Sequence, residues 1–227
     1  MVIYKMTGNV KFHSILLIGL MLAAFGSSGI LLIFSHFEPK ILSDGFVLVR
    51  ELSLFLILIP IFVIVDRCEE NGLSSIGLHS RNWVQSVKWI FILLVSIFFL
   101  LSIIILIFNF LGLSLPQGEN KYNDVSIWVL ILMMLRAGII EEICYRGFIQ
   151  GQLEKLSSHL AVFLLVPTII FALLHYRQGL PGIIIAFVLG MVMALFYWRK
   201  KDLKVNIITH FLVDFIPNIL FPYALGE

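Results

Sequence analysis

Seven long apolar stretches, separated by short polar connections, constrain the fold of this chain more than any other feature of its sequence. Each approaches or exceeds the length needed to cross a bilayer, which is about 20 residues. A backbone in lipid must satisfy its own hydrogen bonds, and none of these stretches alternates in polarity like a barrel strand, so they are predicted to be helices. The stretches run from 12 to 34, 46 to 65, 88 to 111, 125 to 149, 160 to 175, 182 to 198 and 205 to 222.

Composition supports the same conclusion. Of the 227 residues, 60% are hydrophobic and 13% are charged, against about 25% charged in an average soluble domain. A soluble protein of this size could not hide so much apolar surface. The predicted fold class is therefore all-α, a polytopic membrane bundle of about seven transmembrane helices, or eight. No internal repeat or low-complexity linker divides the chain, so residues 1–227 are predicted to form a single membrane domain.

Charge and cysteine content exclude several classes of protein. The net charge of +2 is too small to indicate a nucleic-acid partner, and no basic run has interleaved aromatic residues. Cys68 and Cys144 are too few and too far apart for a disulfide framework or a thiolate zinc site. We interpret both as small apolar residues of the packed interior. The sequence thus predicts the lipid bilayer, and not nucleic acid, as a partner.

The distribution of basic residues predicts the orientation of the chain. The apolar run from Ser14 to Phe34 is longer than the core of a typical signal peptide, so we interpret it as a retained first span. With the N-terminus in the cytoplasm, ten Lys and Arg residues fall on the cytoplasmic side and three on the other, which is a positive-inside pattern. The ten are Lys5, Lys11, Arg67, Arg81, Lys88, Lys155, Arg199, Lys200, Lys201 and Lys204, and the three are Lys40, Lys121 and Arg177.

Ionisable residues are concentrated in the second half of the chain, within about residues 125–222. Such groups inside a span are costly unless paired or wet, so they are functional candidates by default. Glu142 and Arg146 are one helical turn apart and can pair on one face. Glu141 points about 100° away from Glu142 and lacks that partner. The alternative is that the span ends at Ile140 and that these charges are interfacial.

Two histidines lie in the following apolar stretches. His175 ends the sequence Phe171-Ala172-Leu173-Leu174-His175, and histidine can exchange a proton near neutral pH or bind a metal. His210 and Asp214 are four residues apart and share a helix face, where Asp214 could orient the imidazole or share a metal with it. The alternatives are structural: an interfacial His175, and a His210–Asp214 pair that packs helices.

Two further charged positions, Arg50-Glu51 and Arg136, lie at or inside predicted spans. We interpret Arg50-Glu51 as the interfacial start of a span. Arg136 is expected to extend toward the interface or to pair with an acidic group. Neither position is assigned to catalysis.

Three motifs follow one another on three late helices: E-E-x-x-x-R, F-x-x-x-H and H-x-x-x-D. In this order they resemble the motifs of the CAAX-protease and bacteriocin-processing family of intramembrane endopeptidases. The match covers about Ile140 to Asp214, and Tyr145-Arg146-Gly147 also looks like that family. The first three spans match it only in hydropathy. Each motif is weak alone, but their order and their placement on spans make the combination specific.

The resemblance implies a membrane-embedded hydrolase, a protease in which Glu141 and His175 activate a water against a peptide carbonyl. His210 and Asp214 would stabilise the oxyanion, and the Glu142–Arg146 pair would support Glu141. This agrees with what peptide hydrolysis requires: a general base, a held water and donors for the developing charge.

Two questions stay open: the state of Asp214 in the last motif, and whether the site binds a metal. The family's last motif often ends in Asn, whereas here it ends in Asp214, which must be protonated, turned toward His210 or bound to a metal. Glu141, His175 and His210 form a plausible zinc set, but a metal-free mechanism uses the same residues. The cofactor is thus either none or a single divalent metal such as zinc.

The position of His175 poses a geometric problem. At 1.5 Å per residue, Glu141 and Asp214 lie roughly 12–14 Å from the cytoplasmic ends of their spans, whereas His175 lies roughly 22 Å from the start of its own. Irregular backbone in a membrane is tolerated only beside protein or water. Either the helix that carries His175 begins outside the membrane, or residues 176–182 form a helix break buried in protein, and we expect the buried break.

Two other functions are compatible with buried charges. One is a non-catalytic scaffold or bacteriocin-immunity protein of the same fold, although every acid–base position is filled by a competent residue. The other is a transporter, which usually shows repeats or paired broken helices. For the endopeptidase, the resemblance implies a peptide or protein substrate, C-terminally lipidated in some relatives, and a location in a cell membrane, taken as bacterial.

Overall fold

The computed structural model describes residues 10–79, 82–114 and 122–222, with residues 10–12 described by their backbone alone. Throughout these ranges the regular structure is helical, which confirms the predicted all-α membrane bundle. The α-helices in chain order are α1 (Val10–Ser35), α2 (Asp44–Leu54), α3 (Leu58–Cys68), α4 (Trp83–Phe110), α5 (Ile127–Glu141), α6 (Gly151–Leu156), α7 (Leu160–Leu173), α8 (Gly179–Lys200) and α9 (Leu203–Phe215). A π-helical segment, Glu142–Gln150, joins α5 to α6, and a second, Ile216–Leu220, follows α9.

Each of the seven predicted spans coincides with helix in the structure. Within the described ranges, five helical stretches are long and apolar enough to cross a membrane: His13–Ser35, Asp44–Cys68, Trp83–Phe110, Tyr176–Lys200 and Leu203–Leu220. Helix α7 is apolar but shorter. Helix α4 leaves Phe91, Phe99 and Leu106 exposed along its length, and exposed apolar surface on this scale is typical of contact with lipid. The chain is an integral membrane protein.

The π-helical segment Glu142–Gln150 forms the centre of the bundle. All nine of its residues are buried, and it packs against α1, α3, α7, α8 and α9. The Tyr145 hydroxyl donates a hydrogen bond of 2.8 Å to the carbonyl of Ala24 on α1. π-Helical turns are rare and occur mostly at functional sites. Glu142 and Arg146 of the first motif therefore lie in a fully buried segment, directly after Glu141.

A close approach of α5 and α9 brings the first and last motifs together. A Cβ atom at Gly138 would lie 3.0 Å from the carbonyl oxygen of Ile207 and 3.2 Å from the amide nitrogen of Phe211. Only a glycine lets the two backbones pack at this distance, as small residues commonly do between membrane helices. Because Gly138 is three residues before Glu141, this contact sets the end of α5 against His210.

Contacts between connections define the two ends of the bundle. At one end, Lys155 pairs with Glu69 and Lys201 pairs with Glu154. At the other end, the amide nitrogen of Ser126 donates to Asp44 over 2.8 Å. The side chains of Lys5, Lys11, Arg81 and Lys121, which the charge count includes, lie outside the described residues.

The prediction of a buried helix break after His175 is wrong. Helix α7 ends at Leu173 and α8 begins at Gly179, so a break is present, but the side chains of Tyr176 and Leu180 are 66% and 62% exposed. The break therefore lies at the surface of the bundle. Gly179 has a φ of 71°, a conformation that glycine adopts readily, and Pro181 is suited to the first turn of α8. His175 thus reaches the interior from a surface turn.

Candidate active site

A cavity of about 550 Å³ lies between α4, α5, α7, α8 and α9. Its wall contains all four residues predicted as catalytic, Glu141, His175, His210 and Asp214. They come from three separate helical regions of the second half of the chain. Much of the remaining wall is apolar, including Ile97, Met133, Met134, Ala186, Leu189 and Met193. The fold therefore brings the predicted motifs to one enclosed site.

His210 is the residue on which the carboxylates of the site converge. Its Nδ1 lies 2.8 Å from Oε1 of Glu142. Its Nε2 lies 3.7 Å from Oε2 of Glu141 and 3.7 Å from Oδ2 of Asp214. The contact with the Glu142 carboxylate places a proton on Nδ1, because a carboxylate oxygen bonded by Arg146 is an acceptor. Nε2 is then the ring nitrogen that is available toward the cavity.

The buried Glu142–Arg146 pair fixes that imidazole. Glu142 is 0% exposed and Arg146 is 2% exposed, and Nη1 of Arg146 donates to Oε1 of Glu142 over 2.7 Å. Nδ2 of Asn206 donates to Oε2 of Glu142 over 3.0 Å. The pair was predicted to support Glu141, but the contacts place it on His210. Donors on both of its oxygens give Glu142 the full hydrogen bonding that a buried charge requires.

The guanidinium of Arg146 is itself enclosed on two sides. Its Nη2 donates to the carbonyl of Gly190 over 3.3 Å, and its Cζ lies 4.6 Å from the centre of the Phe171 ring. A Cβ atom at position 190 would lie 3.2 Å from that same Nη2. Glycine at this position of α8 therefore leaves the space that the guanidinium occupies.

His175 enters the cavity from the end of α7. Its Nδ1 lies 2.9 Å from the carbonyl oxygen of Phe171, which can only accept, so Nδ1 is the donor. Its ring centre lies 4.7 Å from that of Phe171. As in His210, a fixed acceptor at Nδ1 sets the tautomer and leaves Nε2 for other chemistry.

Glu141 and Asp214 are the more accessible carboxylates of the site, with side chains 23% and 37% exposed. Oε1 of Glu141 lies 3.9 Å from Nη1 of Arg136, so Glu141 has a cationic neighbour that the sequence did not assign to it. Asp214 is turned toward His210, which is one of the three arrangements expected for it. Its backbone carbonyl accepts from the Asn218 amide over 2.8 Å.

The predicted zinc ligands do not form a metal-binding group. Among the residues that the structure describes, no three His, Cys, Asp or Glu side chains are arranged so that they could hold a metal ion. Glu141, His175 and His210 line one cavity without this convergence, so they do not fit a zinc ion as a set.

Several polar residues of the site region were missed or set aside at the level of sequence. Asn206 donates to both Glu142 and the carbonyl of Met193, and its spacing of four residues from His210, on the same helix face, was a signal for it. Glu51 accepts a hydrogen bond of 2.6 Å from Nε of Arg136. Both of these residues lie within predicted spans and each needs a partner there.

Similarity to known proteins agrees with this geometry. Residues 123–216 match the family model described as Rce1-like, type II CAAX prenyl endopeptidase Rce1-like. The matched region begins just before α5 and ends after α9, and it contains all four predicted catalytic residues. The chain matches no curated protein and no solved structure. Residues 123–216 are therefore similar to the Rce1-like family of type II CAAX prenyl endopeptidases, which agrees with the family that the three motifs resemble.

Proposed function

We propose that this protein is an intramembrane endopeptidase that hydrolyses a peptide bond with a water activated by Glu141. The observation that carries the proposal is the single cavity of about 550 Å³ whose wall contains Glu141, His175, His210 and Asp214. Peptide hydrolysis requires a general base, a held water and donors for the developing charge, and these four side chains can supply the base and the donors. The family match supports a CAAX-type intramembrane protease in general.

In the proposed reaction Glu141 is the general base. The 3.7 Å between its Oε2 and Nε2 of His210 exceeds a direct hydrogen bond, and a water can bridge such a distance. The water oxygen attacks the carbonyl carbon while its proton passes to Glu141. That proton then moves to the departing amine nitrogen, which restores the carboxylate. His175, on the same cavity wall, would assist in holding the water through Nε2.

His210 would stabilise the oxyanion of the tetrahedral intermediate. With a proton on Nε2 as well as on Nδ1, the ring carries a charge that the carboxylates of Glu141, Glu142 and Asp214 balance. Nε2 is then a donor directed into the cavity. Fixed donors of this kind act on the charge that develops in the transition state. The bonds from Arg146 and Asn206 to Glu142 would preserve the orientation of the ring.

The cavity wall indicates the chemistry of the substrate. Its apolar side chains favour apolar residues next to the scissile bond, because charged ones would lose their hydration there. We extend the proposal to a peptide with a prenylated C-terminus, and the description of the matched family as a CAAX prenyl endopeptidase supports this substrate class. A role in bacteriocin processing or immunity stays a hypothesis of the motif resemblance.

The proposal is tested by comparing the peptide termini in membranes that contain the wild-type protein with those that contain Glu141→Ala. The expected result is a set of new termini that depends on Glu141. Identical sets of termini from equal amounts of inserted protein would instead support a non-catalytic scaffold or immunity protein of this fold.

Substitution of Asp214 by asparagine distinguishes a hydrogen-bonding role from a metal-ligating one. We expect Asp214→Asn to keep activity within about tenfold of wild type, because the amide has nearly the same shape and can still accept or donate. A chelator should leave the activity of purified wild type in place. Loss of a ligand should instead cost activity that added zinc restores.

The measurement is cleavage by both proteins with and without zinc, alongside elemental analysis of the purified enzyme. Stoichiometric metal in wild type that disappears together with activity in Asp214→Asn would make the protein a metallopeptidase.

We also propose that the N-terminus is cytoplasmic, on the strength of the ten-to-three charge bias. Reporters fused after Lys11, Lys121 and Lys201 should read inside, outside and inside. The same side for the fusions after Lys11 and Lys121 would contradict this topology.

A further inference from the structure

A chain of alternating charges runs from α2 to the candidate active site. Oε1 of Glu38 lies 4.0 Å from Nη1 of Arg50, and Nε of Arg50 donates to Oε1 of Glu51 over 2.8 Å. The other oxygen of Glu51 accepts from Nε of Arg136 over 2.6 Å. Nη1 of Arg136 lies 3.9 Å from Oε1 of Glu141. The last charge of the series is therefore the residue proposed as the general base.

Glu51 fixes the plane of the Arg136 guanidinium. Both Nε and Nη2 of Arg136 lie 2.6 Å from Oε2 of Glu51. A guanidinium is planar and its donors diverge in fixed directions. Because two nitrogens of the guanidinium are held on one carboxylate oxygen, the direction of its third nitrogen, Nη1, is determined. In this structure Nη1 points toward Glu141.

Arg136 in turn distinguishes the two oxygens of Glu141. Oε1 faces Arg136 at 3.9 Å, and Oε2 faces Nε2 of His210 at 3.7 Å. A carboxylate without a cation at Oε1 could rotate freely in the cavity and would be repelled by the other carboxylates around His210. With Arg136 in place, Oε2 stays directed at the place where the water would lie.

Neutralising Glu51 does not by itself require Arg136. Nε and Nη2 of Arg50 each lie 2.8 Å from Oε1 of Glu51, which already makes a buried ion pair. Glu38 also lies 4.0 Å from Arg50, so Arg50 has a carboxylate on either side without Arg136. Two acidic groups of the site lie near the guanidinium of Arg136: Glu141, which is 3.9 Å from its Nη1, and Asp214, which lines a cavity together with Arg136.

We propose that Arg136 is the positioning residue of Glu141 and that Glu51 on α2 is the buried anchor that aims it. The inference rests on the proposed function, because it assigns Arg136 its effect through the catalytic carboxylate. It also gives Glu51, in the first half of the chain and outside the matched region 123–216, an indirect role in the reaction.

The test is steady-state cleavage of an internally quenched peptide library, with and without a farnesylated cysteine, by protein reconstituted in liposomes. The variants are Arg136→Gln, Arg136→Lys and Glu51→Asp. We expect Arg136→Gln to lower kcat by about tenfold to 100-fold, because a misplaced catalytic group loses rate on that scale. KM should change by less than about threefold, since Arg136 is not required to bind the peptide.

The conservative variants separate positioning from folding. Arg136→Lys keeps the charge and should recover part of kcat, while Glu51→Asp keeps the anchor's charge but draws it back from Arg136 and should lower kcat about tenfold. Glu69→Asp is the matched control. The Glu69 side chain is also largely buried and is paired with a cation, Lys155, but that pair lies at the opposite end of the bundle. Glu69→Asp should cleave like wild type.

Equal kcat values for Arg136→Gln and Glu69→Asp, each measured per amount of folded protein, would overturn the inference and leave the proposed function intact. A rise in KM without a fall in kcat would do the same, because it would make Arg136 a substrate contact. If Glu141→Gln cleaves the library as fast as wild type, or if wild type cleaves none of it, the proposed function and this inference both fail.

Discussion

Replacement of Glu141 by alanine is expected to lower the rate of peptide cleavage by at least about 100-fold, because the reaction then lacks its base. His210→Ala should have a loss of the same order, since removing one oxyanion donor alone costs about 100-fold to 1,000-fold. His175→Ala should also lose about 100-fold, because the attacking water is then less well held against the carbonyl. All three proteins should insert into the membrane, because Glu142 keeps its bonds from Arg146 and Asn206 in each of them. The measurement is kcat for the same peptide at equal amounts of inserted protein.

Glu154→Ala is the control for Glu141→Ala. The two glutamates have similar exposure, 30% for Glu154 and 23% for Glu141, and both have a cationic neighbour. Glu154 lies at the end of the bundle, paired with Lys201, and its loss should leave cleavage unchanged. Near-normal activity of any one of the three site variants would remove that residue from the mechanism.

Removal of the Glu142 carboxylate is expected to have the largest effect on stability. Glu142→Ala leaves Arg146 as an uncompensated charge in the interior, which typically costs about 3–5 kcal/mol. The free energy of unfolding in lipid bicelles should fall by about that amount, with a parallel loss of yield. Glu154→Ala, which breaks a half-exposed pair at the end of the bundle, should cost about 1 kcal/mol or less.

A double replacement separates the structural role of Glu142 from its catalytic one. Glu142→Leu combined with Arg146→Met removes both charges and fills a similar volume, so most of the stability should return. Cleavage should not return, because Nδ1 of His210 has then lost its acceptor. A Glu142→Ala protein that is as stable as wild type but inactive would show that the roles assigned to Glu141 and Glu142 are reversed.

Part of the site could be predicted from sequence because its signals are local. Glu142 and Arg146 are one turn apart, as are His210 and Asp214, so their proximity within each pair follows from helical spacing. Ionisable residues inside apolar stretches are also rare, so they can be recognised from the sequence as functional candidates. The membrane bundle was also predictable from local signals, because a sufficiently long apolar run can be recognised within a single segment.

The sequence was less informative where two distant segments decide the outcome. His210 could have been oriented by Asp214, four residues away, but its close contact is with Glu142, 68 residues earlier. Arg136 was expected to find an acidic group without indication of which, and Glu51, 85 residues earlier, holds it. Spacing along one helix cannot choose between partners on different helices.

The sequence by itself determined that this protein is a helical membrane bundle and which ionisable residues are the candidates for its site, because length, apolarity and single-turn spacing are properties of contiguous segments. Only the tertiary structure decided which glutamate faces which histidine and which arginine reaches Glu141. That choice depends on the π-helical turns after Glu141 and on the close packing at Gly138. Both are set by contacts between helices far apart in the chain, where the closest approach of two backbones fixes which side chains can meet.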